Sequence, residues 1–130
     1  MTHYIVVEGE SDAELIRSIL PQDMEIDEVV IVPSGRRNSA IPLAKSISLA
    51  KRAPVALILE AGTENEEMIR NQELGFEDFV AMLPVSLPPV LILAVPTIQR
   101  AIMDPEWEDR LFEFLANDGS RPRPGFAYRP

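Results

Sequence analysis

The chain has 130 residues, 46% of them hydrophobic and 25% charged, enough for one globular domain and too few for two ordinary ones. A formal net charge of −9 argues against sequence-blind binding to a polyanion over the whole surface. With no cysteine, a disulfide framework, thiolate metal ligands and a cysteine nucleophile are all excluded.

The first residues lack the basic region of a cleavable signal, and the first apolar run is far too short to span a membrane. A cytoplasmic protein without membrane contact is therefore expected. Tyr4 to Val7 is an apolar run that stops at Glu8-Gly9, the pattern of a buried strand followed by a tight turn. Open α/β sheets tend to place ligands at such strand ends, and Glu8 has no capping task to explain it. Asp12 to Leu20 follows as a helix with Ala13, Ile16, Ile19 and Leu20 on one face, stopped by Pro21. Asp12 itself reads first as an acid that interacts with the free amides of that helix start. His3, placed at a frayed terminus, is assigned no chemistry.

Glu28 to Val32 is a β-branched second strand, ended by Pro33-Ser34-Gly35. The next helix runs from Asn38 to Arg52, with Ile41, Ala44, Ile47 and Ala50 as its apolar stripe and Lys45, Lys51 and Arg52 exposed. The loop between them is the candidate anion site. Gly35 permits close backbone approach, Arg36 and Arg37 supply charge, and Asn38 would cap the helix beside its free amides. An ordinary surface loop accounts for the same residues equally well.

Val55 to Leu59 is continuously apolar, as expected of a strand covered on both faces. Glu64 to Gln72 favours helix, Gly75 interrupts it, and Phe76, Phe79, Val80 and Leu83 resume a helical spacing. Pro84, Pro88 and Pro89 force a loop before a fourth buried strand, Val90 to Val95. Pro96 and Pro105 are each placed to start a helix. The last helix carries Trp107, Leu111, Phe114 and Leu115 on one side and ends near Asn117-Asp118-Gly119. Residues 1–117 thus form an α/β domain, and 118–130 a tail with Arg121, Arg123 and Arg129, either a solvated terminus or a partner contact. Strands separated by helices imply a three-layer α/β/α domain, Rossmann-like, around a mostly parallel sheet of about four strands. Ser11, Ser34 and Ser39 lack a histidine in any hydrolase context, and neither a G-x-G-x-x-G nor a Walker-type loop occurs.

Val7-Glu8-Gly9, followed by an acid at the end of the third strand, resembles the Toprim domain of topoisomerases, bacterial primases and OLD-type nucleases. The resemblance covers roughly residues 4 to 100 in motif order and spacing. It implies that Glu8 transfers a proton or contacts a metal in phosphoryl chemistry, with Asp12 as a second catalytic candidate. The family carries Asp-x-Asp at the third strand end, where its acids hold Mg²⁺; here Glu60 stands for the first acid and Gly62 for the second. Glu64, or the neighbouring Glu66 or Glu67, would then complete a Mg²⁺ or Mn²⁺ site, although these acids also suit a helix start. Thr97 and Gln99 are neutral where some small Toprim-like bacterial proteins carry acids.

Three functions follow as expectations. The first is a divergent Toprim-like protein of nucleic-acid metabolism or phage defence, with an eroded metal site, that acts by binding. The second is an active metal-dependent nuclease using Glu8 and Glu60. The third is a pseudoenzyme serving as a protein-interaction module or homodimer. Arg36, Arg37, Lys45, Lys51 and Arg52 gathered on one face would favour the first over the third.

Overall fold

Among the described residues, five parallel strands form the frame of the protein. The computed structural model describes residues 2–21, 28–116 and 127–128. In chain order the elements are β1 (His3–Val7), α1 (Glu10–Ile19), β2 (Val29–Pro33), α2 (Arg37–Lys51), β3 (Val55–Glu60), α3 (Glu66–Ala81), β4 (Val90–Ala94), α4 (Ile98–Ala101), α5 (Pro105–Ala116) and β5 (Ala127–Tyr128).

The continuous apolar runs arise because both faces of the sheet are covered. Ile5, Val7, Ala56, Ile58, Ile92 and Ala94 point to the layer of α1, α4 and α5. Val6, Leu57, Leu59, Leu91 and Leu93 point to the layer of α2 and α3. Successive strand residues thus serve opposite cores, the period-2 alternation of a pleated strand with no polar face left over. Trp107 anchors the first layer: it is fully buried, and its Nε1 donates to the Leu93 carbonyl at 3.1 Å.

The strand order is β2-β1-β3-β4-β5, and winding reverses between β1 and β3. The chain leaves β1 through α1 to reach β2, then returns over the other face through α2 to β3 on the far side of β1. In open α/β sheets this reversal leaves a crevice beyond the carboxyl ends of the two strands. Glu8 and Glu60 stand there.

Several local expectations change. Helix α1 starts at Glu10, so Asp12 lies within its first turn. Helix α3 is continuous for 16 residues and runs through Gly75, because packing of Phe76 and Val80 on the sheet outweighs the local preference. Pro96 opens no helix: its peptide bond to Val95 is cis, and Thr97 caps α4 by accepting from the Arg100 amide at 3.2 Å. Pro105 does open α5. The buried stripe of α2 is Ala40, Ala44 and Ser48, with Ile41 and Ile47 half-buried and Ala50 exposed. His3 is buried in β1 and meets Phe114 edge-to-face, ring centroids 5.4 Å apart. Ala127–Tyr128 adds a strand where a tail was expected. The arginines of that tail, and the expected helix stop after Ala116, lie outside the described residues. Among the described residues no helix is long and apolar enough to cross a membrane.

Candidate functional site

The site begins with the loop after β2. Ser34 and Gly35 donate their amides to the carbonyls of Val7 and Glu8, each at 2.9 Å, which folds the loop against the end of β1. Gly35 has φ +95°, a left-handed conformation that glycine adopts without penalty. This turn sets Arg37, the first residue of α2, over the ends of β1 and β3.

Arg37 joins both strand ends. Its Nη1 donates to Glu8 Oε1 at 2.9 Å and to the Glu60 carbonyl at 2.7 Å, and its Nη2 to Gln72 Oε1 at 3.3 Å. Gln72 is fixed in turn, its Nε2 donating to the Ala61 carbonyl at 3.0 Å. The Glu8 side chain is 18% exposed and that of Arg37 46%. Burial pushes the Glu8 carboxyl above the ordinary range; Arg37 and a bond from the Glu60 backbone oppose the shift, and the charges of Asp12 and Glu60 add to it.

The other acids are engaged or remote. Glu60 Oε2 accepts from the Ile98 amide at 2.8 Å and so ties β3 to the start of α4. Asp12 Oδ2 accepts from the Gly9 amide at 3.1 Å, the return half of a capping box, as a first-turn acid should. Glu64 is exposed and lies before α3, whose cap is Asn65, accepting from the Met68 amide at 3.0 Å. Glu66 and Glu67 are exposed first-turn acids. Gly62 has φ +71°, so the turn leaving β3 requires a left-handed residue at the position where the family pattern has its second acid. Among the described residues, no three His, Cys, Asp or Glu side chains gather as metal ligands. The donor set as it stands does not fit a carboxylate cradle for a divalent ion.

The anion-site expectation divides. Arg37 is bonded to Glu8 while remaining half exposed, and Arg36 and Asn38 are exposed. Asn38 does not cap α2; Arg36 occupies that position, two residues earlier, because the helix begins at Arg37. Arg37 and Lys51 stand at the two ends of a helix of 15 residues, about 21 Å apart by helical rise, so the five basic residues are spread along α2 rather than gathered at the site. Gln72 was not a sequence candidate, and nothing in its neighbourhood marks it. Only the register of α3 against β3 gives it a role. No protein-family model, no curated protein and no solved structure matches the chain.

Proposed function

We propose that the protein is a divergent Toprim-like domain that acts by binding a nucleic acid or a partner protein, its acidic site held by a guanidinium, with weak or absent phosphoryl transfer. One observation carries the reading: Arg37 Nη1 bonds both the Glu8 carboxylate and the Glu60 carbonyl, in the crevice between β1 and β3. Further support comes from Glu60, whose carboxylate is committed to the Ile98 amide, and from the glycine at position 62. Rebuilding a Mg²⁺ or Mn²⁺ site would require releasing two engaged acids at once.

The test is a calorimetric titration of Mg²⁺ and Mn²⁺ into the wild type and the Glu8→Ala variant, with plasmid nicking assayed in the same buffers. No saturable binding and no nicking by either protein is the expected result. Stoichiometric Mn²⁺ binding with nicking, both lost in Glu8→Ala, would overturn it in favour of an active nuclease. One observation favours that second reading: a carboxyl raised by burial is suited to moving a proton near neutral pH.

A further inference from the structure

Between α2 and α3 a groove of about 570 Å³ opens above the sheet, in the range of small-molecule sites. Its floor is apolar, with Leu59 and Leu93 from the strands and Ile41 and Phe76 from the helices. Its mouth carries the exposed carboxamides Asn38 and Asn71, the amide of Gln72 and the guanidinium of Arg37. In a chain of net charge −9, no carboxylate among the described residues lines this groove, Glu8 lying behind Arg37 on the crevice side.

Gly75 gives a second, independent observation. It sits inside α3, where glycine costs roughly 1 kcal/mol relative to alanine. Neither φ nor crowding requires it, since a Cβ built there meets nothing within 4 Å. Gly75 lines the groove, so the missing side chain keeps that wall open.

We infer that the α2/α3 groove binds a small monocarboxylate with an apolar body, its carboxylate on Arg37 and its body on the Leu59–Leu93–Phe76 floor. Arg37 uses three N–H groups on Glu8, Glu60 and Gln72, which leaves two of its five for a ligand. Glu8 already balances the guanidinium, so a single carboxylate is met by the two remaining N–H donors beside the carboxamides of Asn38 and Asn71; a phosphate dianion would ordinarily call on more donors. The inference stands apart from the nucleic-acid reading and requires no metal.

Octanoate and 3-phenylpropanoate, titrated in EDTA, are the probes, with octanamide, inorganic phosphate and adenosine monophosphate as comparisons. Saturable binding of at least one acid is expected, with octanamide weaker by roughly tenfold or more. Gly75→Leu should fill the groove and weaken binding by roughly tenfold without lowering Tm. Should that variant fold poorly, the surface change Asn71→Asp should weaken binding several-fold by placing a carboxylate at the mouth. Neither acid binding, octanamide binding as tightly, or both variants binding as the wild type does would overturn the inference. Binding of the nucleotide or phosphate in place of the acids would overturn it as well.

Discussion

Arg37 and Glu8, 29 residues apart in sequence, meet at 2.9 Å across the mouth of the crevice between β1 and β3. The pair joins the first turn of α2 to the end of β1, and the same Arg37 nitrogen also holds the Glu60 carbonyl. Removing Arg37 therefore affects two strand ends. Arg37→Ala should lower stability by about 1–2 kcal/mol at neutral pH, a figure kept low because the guanidinium is half exposed. Urea unfolding at neutral and acid pH measures it; the loss should shrink in acid, where Glu8 is protonated. A loss unchanged by pH would mean that the Glu60 carbonyl, not Glu8, is the partner that matters.

Glu8 gives a pH dependence with a definite sign. Its carboxyl is raised above the ordinary value, chiefly by burial, so the folded protein holds this proton to higher pH than the unfolded chain does. The corresponding stability is complete below the unfolded pKa and is lost as pH rises through the folded one. Glu8→Gln has no such loss. The Tm of the variant minus that of the wild type should therefore grow from about pH 4 to pH 7. A difference that falls over this window would mean that attraction to Arg37 outweighs burial.

Glu60 can be tested as a tether rather than a ligand. Glu60→Ala leaves the Ile98 amide without its acceptor and should cost about 1–2 kcal/mol, whereas Glu60→Gln keeps an acceptor oxygen and should recover much of this. Amide hydrogen exchange at Ile98 reports the bond directly. Unchanged protection in Glu60→Ala would show that α4 is held by its packing alone.

Gly75→Ala should raise stability by roughly 0.5–1 kcal/mol, because the helix gains propensity and the new methyl meets nothing. Thermal unfolding is sufficient to see it. A destabilised variant would mean that the groove wall tolerates no Cβ.

Trp107→Phe removes the donor to the Leu93 carbonyl and opens space in a filled core, with an expected loss of about 2–4 kcal/mol. Chemical unfolding followed by circular dichroism checks it, since the variant lacks the single tryptophan. A loss below about 1 kcal/mol would mean that the neighbouring side chains close around the smaller ring.

The layers were legible in the sequence because Val55 to Leu59 and Val90 to Val95 have no polar face, and that composition admits few arrangements other than a covered parallel strand. Trp107, Leu111 and Phe114 read as core for a similar reason, by helical spacing alone, and are buried. What could not be read depends on partners distant in sequence. Gly75 looked like a break because local propensity cannot register the contact of Phe76 and Val80 with the sheet. His3 looked frayed because nothing nearby announces Phe114. At the site, Glu8 and Glu60 were legible as acids at strand ends. Arg37 was legible only as a basic loop residue, since its bond to Glu8 requires the turn at Gly35 to fold back over β1.

The strand order also bears on how the chain comes together during synthesis. β1 lies between β2 and β3, and its pairing with β3 joins Tyr4 to Val55. Until β3 has left the ribosome, one edge of an almost wholly apolar segment has no neighbour. Contacts of such sequence separation form late and leave nascent chains open to aggregation. The strand that positions Glu8 thus waits for β3 with one edge open, and β3 in turn waits for β4. Conditions that slow translation between β2 and β3 should therefore burden solubility.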